Sequence, residues 1–155
     1  MSPFLRLFAV WSLVIINLVT DCPAATLPAK GYAMRIWQTE DGLPQNMVTS
    51  AVQTQDGYLW FGTYCGLARF DGARFTIFDS ANTPNLQDKC ISCLFEDAQG
   101  TLWIGHETGA ITRLREGQFE PVMPPSGIIG EKVIGLGNDE QGRLWAMREN
   151  GAVDS

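Results

Sequence analysis

Histidine is almost missing from this chain: His106 is the only one in 155 residues. A nucleophilic triad needs a base held between a nucleophile and an orienting carboxylate, and nothing around His106 marks that arrangement. Positive charge is also short, with 11 Lys and Arg against 17 Asp and Glu and a net charge of −6. Phosphate binding needs a basic surface, so the composition argues against a nucleic-acid partner. No glycine-rich phosphate loop precedes a helix, which leaves kinase, cyclase and receiver chemistry without a seat. The four cysteines make no metal set. Cys90 and Cys93 have a redox or metal spacing, but in a strand residues three apart face opposite sides, and no second pair accompanies them. Cys65, in a turn, could meet another cysteine only through the fold. Buried small apolar residues are the expected role of this set, with a disulfide open to them in an oxidising compartment.

Long apolar runs are equally scarce. The one that occurs, LFAVWSLVIINLV at 7–19, follows Arg6 and precedes Cys22, Pro23, Ala24 and Ala25. A basic start, a short apolar run and a small-residue site match a secretory signal peptide, and the run falls short of the ~20 residues a span requires. Residues 1–25 are therefore expected to be a signal-peptide helix, with an uncleaved amino-terminal anchor as the alternative. The rest of the chain is then expected to lie outside the cytoplasm. Cys22 would leave with the signal.

What the chain has in quantity is one repeated unit. The run DGYLWFGTYCGLARFDG at 56–72 recurs as QGTLWIGH at 99–106 and as QGRLWAM at 141–147. Gly57, Gly100 and Gly142 stand 43 and then 42 residues apart. Trp60, Trp103 and Trp145 keep both intervals, as do Gly66, Gly109 and Gly151. Three markers holding one period twice, with a glycine ahead of Leu-Trp, point to four-stranded propeller blades.

Within a repeat, short runs rich in Val, Ile, Phe and Trp alternate with turn residues, as strands do and helices do not. In the first, 48–53, 58–63, 67–70 and 75–78 read as strands. Leu59, Trp60 and Phe61, like Leu102, Trp103 and Ile104, are apolar without alternation, so both faces of these strands should be buried between sheets. The tryptophans are accordingly read as packing between blades. Residues 34–37 read as a lone strand in the place that 75–78 holds at the end of a blade, suited to closing a ring from the other terminus.

The expected fold is all-β, a β-propeller of about three blades of an incomplete ring. The divisions are 1–25 signal, 26–45 lead-in and closing strand, 46–79 blade one, 85–122 blade two and 131–155 a truncated blade three. Residues 123–127 read as a loop. Closed propellers have about four to eight blades. The sequence thus reads as the front end of a longer protein or as a chain that assembles with others.

The run from Trp37 through EDGLPQN (40–46), then Val48, Thr49 and Ser50, then residues 56–72, resembles the two-component regulator propeller repeat. The resemblance covers nearly all of the chain after Tyr32. It implies the periplasmic sensor region of bacterial membrane-bound regulators, such as hybrid histidine kinases and diguanylate cyclases, whose output domain would lie elsewhere. Departures are visible: Thr54 stands where Asp97 and Asp139 supply an acid, His106 and Met147 stand where the first repeat has Thr63, and Gly135 and Gly137 replace larger strand residues.

The remaining candidates for chemistry read blandly. His106, at a strand end near a turn, is expected to be solvated or capping. The carboxylate pairs Glu40 with Asp41 and Glu96 with Asp97 are of the type glycosidases use, but both adjoin turns, where Asp bonds its own backbone. No catalytic, metal or cofactor-binding residue is assigned. Three functions stay open. The first is a non-enzymatic sensor of a small solute or oligosaccharide, which contacts missing blades or another protomer. The second is an extracellular enzyme acting on polysaccharide, and the third is an interaction scaffold.

Overall fold

The turns decide the architecture, and they are built alike in each repeat. In the computed structural model, which describes residues 34–122 and 130–155, the backbone reverses at Gly57, Gly100 and Gly142 with φ of 90°, 78° and 76°. Side chains rarely tolerate that left-handed conformation, which explains the glycine at this point of every repeat. The signal peptide expected at 1–25, the lead-in up to residue 33 and the linker expected at 123–127 lie outside the described residues.

These turns join antiparallel strands in chain order. Strands β1 (Val48–Gln53), β2 (Leu59–Thr63), β3 (Gly66–Phe70) and β4 (Phe75–Phe78) form the first sheet. The second holds β5 (Ile91–Glu96), β6 (Leu102–His106), β7 (Ile111–Arg115) and β8 (Gln118–Val122). The third holds β9 (Val133–Asn138), β10 (Leu144–Arg148) and β11 (Val153–Asp154). The protein is all-β, as expected, and its sheets are propeller blades. Its one helical element among the described residues is a 3-10 turn at Thr39–Asp41.

Adjacent blades pack face to face through two apolar layers. Trp60, Leu67, Leu86, Ile91, Leu102 and Ile104 form the first, between sheets one and two. Cys93, Ile111, Val133 and Ala146 form the second, between sheets two and three, with Trp103 against it. The innermost strands are also tied by hydrogen bonds. Thr49 Oγ1 donates to the carbonyl of Ile91 at 2.7 Å, and Ser92 Oγ, its counterpart one repeat on, donates to that of Val133 at 2.6 Å. Glycine permits this approach: a Cβ on Gly62 would lie 2.6 Å from Ile91 Cγ2, and one on Gly105 would lie 2.9 Å from Val133 Cγ1.

Two expectations are corrected here. Residues 34–37 form no strand, because no sheet edge lies alongside to supply a ladder. Trp37 instead lays its ring over Phe61, Phe70 and Phe75, with centroids 6.0, 5.1 and 6.1 Å away. Gly66 is also not the structural counterpart of Gly109 and Gly151. Thr63 pairs directly with Gly66, which leaves a two-residue turn. The later turns are one residue longer, with His106 N donating to Ala110 O and Arg148 N to Ala152 O. The shorter turn is held by Thr63 Oγ1, which accepts from Cys65 N at 3.1 Å and donates to Gly66 O at 2.8 Å.

Candidate functional site

Each blade has two ends, and the polar side chains divide between them. At one end, the turn before the Leu-Trp strand is built on an acceptor six residues ahead of the tryptophan. Asp97 Oδ2 accepts from Trp103 Nε1 at 2.8 Å, and Asp139 Oδ2 accepts from Trp145 Nε1 at 3.1 Å. Their Oδ1 atoms accept backbone N–H groups: Gln99 and Thr101 at 2.9 Å in one case, Gln141 and Arg143 at 3.0 and 2.9 Å in the other. Thr54 serves the first blade instead, with Oγ1 accepting from Trp60 Nε1 at 3.2 Å. The departure noted at Thr54 therefore keeps the indole bond. Burial penalises the Asp139 carboxylate. The Arg143 N–H, the Trp145 indole and the Arg143 guanidinium more than offset this and hold its pKa down at about 2.

The paired carboxylates are taken up by such structural bonds. Glu96 accepts from Gln55 N with both oxygens, at 3.1 and 3.0 Å, which ties blade one to blade two. Asp41 Oδ2 accepts from Gln38 N at 2.9 Å and caps the 3-10 turn. Neither pair is arranged as an acid and a base across a cleft.

The opposite end, where β2, β6 and β10 finish and β5 and β9 begin, is the candidate site. In propellers the loops at a blade's end are free to vary while the sheets hold them in place, which suits them to binding. His106 lies here, and it is not solvated: it has no exposed surface. Asp88, from the loop that joins β4 to β5, lies near enough to act on it. Its Nε2 meets Thr112 Oγ1 at 2.8 Å, and Nδ1 has no partner. Burial pushes its pKa down to about 4, against a smaller upward pull from Asp88, so the ring is neutral at pH 7.

Arg148, not Met147, is the counterpart of Thr63 and His106, since Val48, Ile91 and Val133 pair with these three in turn. Its guanidinium is also fully buried. Arg148 Nε bonds Asp154 Oδ2 at 2.8 Å, and Nη1 donates to the carbonyls of Gly109 and Glu131. Around it the turns are laced together: Glu107 N donates to Cys90 O at 3.0 Å, Glu149 N to Lys132 O at 3.0 Å, and Lys132 Nζ pairs with Glu107 Oε1 at 2.7 Å. Threonine, histidine and arginine at one register thus cap three successive blades, a pattern that the tryptophan intervals alone would have revealed.

The cysteines point apart. Cys90 Sγ donates to Tyr64 O at 3.2 Å in blade one, while Cys93 Sγ lies 3.6 Å from Val133 O in blade three. Burial raises the Cys93 thiol to about 11. Among the described residues, no three His, Cys, Asp or Glu side chains gather as a metal set.

The blades themselves match a known repeat. The two component regulator propeller family matches residues 42–65 and 85–108, segments that begin at the same point of successive repeats and run through the first two strands of each sheet. Residues 42–65 and 85–108 are two component regulator propeller repeats. No curated protein matches it by sequence. Among solved structures, it resembles the extracellular domain of a B. thetaiotaomicron hybrid two component system. The TM-score is 0.61 at 21% identity, over 78% of this chain and 19% of that one. A second B. thetaiotaomicron extracellular domain, of a one component system, gives 0.56 at 21% identity, over 68% of this chain and 16% of that one. Virginiamycin B lyase from Staphylococcus aureus gives 0.50 at 15% identity, over 68% of this chain and 39% of that one. The chain spans less than a fifth of the length of either extracellular domain, and at these identities the likeness is one of fold. Among the described residues no helix is long and apolar enough to cross a membrane.

Proposed function

We propose that these repeats form part of an extracytoplasmic, non-enzymatic sensing propeller of a two-component-type regulator, with the output chemistry carried by a separate domain. The observation that carries this reading is the repeat match, in register with the first two sheets. The blade end lined by Asp88, Glu107, Lys132 and Glu149 would meet a small solute or an oligosaccharide. Binding there would shift the population between two arrangements of the blades or of neighbouring protomers. The state of the candidate catalytic groups supports sensing over turnover. His106 is sealed from solvent and bonded to Thr112, and each carboxylate pair has a structural partner.

The test is a thermal-shift screen of the full chain against a panel of oligosaccharides and small polar solutes, with each positive examined for chemical change. The expected result is a saturable rise in melting temperature with the solute recovered intact. Cleavage or elimination in the recovered solute would overturn the reading in favour of an enzyme. A flat screen across the panel would overturn solute sensing.

A further inference from the structure

Blades one and two treat one arginine differently. Arg69 and Arg113 are equivalent, since each stands on a third strand directly opposite the tryptophan of its blade, Trp60 or Trp103. On the next ladder Arg113 faces Glu120, whose Oε2 accepts from Arg113 Nε at 2.7 Å and lies 2.6 Å from Nη2. Arg69 faces Thr76 in the same place, so its own acid is missing. Its Nε is shut off from solvent and has no hydrogen-bond partner.

The cation is nevertheless held in place. Its Cζ lies 4.5 Å from the centroid of the Tyr58 ring, 5.7 Å from that of Trp60 and 5.8 Å from that of Phe78. Aromatic faces attract the charge but give its N–H groups no strong acceptor. A sealed donor without an acceptor is destabilising and rare in folded proteins.

Arg69 lines a cavity of about 190 Å³ between these two blades, at the end where the Leu-Trp strands begin. Asp56, Glu96 and Glu116 line it too, with Leu102 and Leu114 as its apolar wall. Asp56 and Glu96 are anchored, the first by Thr54 Oγ1 and Tyr58 N and the second by Gln55 N. Glu116 is a second departure at the same cavity. It opens the two-residue turn between β7 and β8 at a φ of 50°, a position that asparagine, aspartate or glycine ordinarily fills. An acid is thus kept at the rim against the preference of its own turn.

The charges select among ligands. One guanidinium and three carboxylates share the wall, so a simple anion meets net negative charge and a simple amine meets Arg69. An oligosaccharide is poorly served, because Trp60 is enclosed and offers no ring face, and the volume is below the roughly 300 Å³ at which larger ligands are held. A small zwitterion satisfies both signs. We propose that this cavity binds a free α-amino acid, with its carboxylate on Arg69, its ammonium on Glu96 and Glu116, and its side chain against Leu102 and Leu114. The guanidinium fork suits a carboxylate, and charge-assisted bonds at both ends are the strong kind. Arg69 belongs to blade one and the other four residues to blade two, so an occupied site ties the blades together.

The inference does not rest on the reading of the opposite blade end. The test is titration calorimetry of the full chain with L-alanine and L-leucine. Isopentylamine and 4-methylpentanoate run beside them, since they keep the leucine chain and each lose one charge. The expected result is saturable binding of at least one amino acid, with both analogues weaker by about tenfold or more. Arg69→Gln should abolish that binding. Thr76→Glu is the decisive variant, made at an exposed position that the fold tolerates. It restores the acid that Glu120 supplies to Arg113, so it should capture the guanidinium and abolish binding while the melting temperature holds or rises. Three results would each overturn the proposal: no saturable binding of either amino acid, 4-methylpentanoate or isopentylamine binding as tightly as L-leucine, or full binding by Thr76→Glu.

Discussion

Gly62→Ala adds a single methyl group, and the structure says where it must go. The new Cβ would lie 2.6 Å from Ile91 Cγ2, 3.1 Å from Ile91 Cβ and 3.1 Å from Thr49 Oγ1. Ile91 has no exposed surface and cannot swing aside, and Thr49 is committed to the Ile91 carbonyl at 2.7 Å. Overpacking of this kind costs about 1–3 kcal/mol, and disturbing the Thr49 bond adds about 1 kcal/mol. Against this, replacing glycine restricts the unfolded chain and returns about 0.4–1 kcal/mol. The net expectation is a loss of about 1–3 kcal/mol, read as a lower denaturant midpoint with an unchanged slope. A double-mutant cycle isolates the cause. Ile91→Ala alone should cost about 2–5 kcal/mol by leaving a cavity. The pair should cost less than the sum by about 1–2 kcal/mol, because the added methyl enters the space the isoleucine vacates. Additivity within about 0.5 kcal/mol, or a neutral Gly62→Ala, would show that the blades do not meet as closely as described and would refute the reasoning.

Three further outcomes follow from the same geometry. Asp97→Ala should cost about 2–4 kcal/mol by stranding the Trp103 indole and two turn N–H groups, while Asp97→Thr should recover part of that loss, as Thr54 does in blade one; chemical denaturation of both variants checks this. His106 binds its proton less readily folded than unfolded, with a pKa of about 4 against 6.5, so its contribution to stability is present above pH 6.5 and lost as the pH falls towards 4. That contribution is on the order of 3 kcal/mol, and His106→Gln should flatten the stability profile in this window. Trp60→Ala should cost about 3–5 kcal/mol, and Trp145→Ala clearly less in the isolated monomer, because only the first indole is enclosed; equal melting shifts in dilute solution would contradict the difference in burial.

The sheets were legible in the sequence because the signals that make them are local. A glycine at positive φ, an acceptor six residues ahead of a tryptophan and a Leu-Trp strand recur at a fixed interval, and each is visible within a short window. Burial at the blade ends was not legible in that way. His106 follows a strand and precedes a turn, which locally reads as a solvated position. What encloses it is the β4–β5 connection, whose Gln87 N–H reaches Thr112 Oγ1 at 3.5 Å and whose Leu86 is buried in the core. Equally hidden was the one-residue difference in the turn after β2, since Gly66 keeps the interval to Gly109 while its strand pairs one step earlier.

The third blade makes the general point about what single positions conceal. Gly135 and Met147 each look like a lapse from the repeat: a strand residue lost at one site, a glycine lost at the other. The ladder sets them directly opposite each other, where the earlier blades place Ser50 against Gly62 and Cys93 against Gly105. The glycine has changed sides across one pair and its partner is now the larger Met147, so the hollow moves from the second strand to the first and the second strand gains bulk. A sheet is felt by its neighbour as a surface, and that surface is set by pairs of residues. The exposed face of blade three therefore differs in relief from the equivalent faces of blades one and two, with Met147 standing where they carry a glycine.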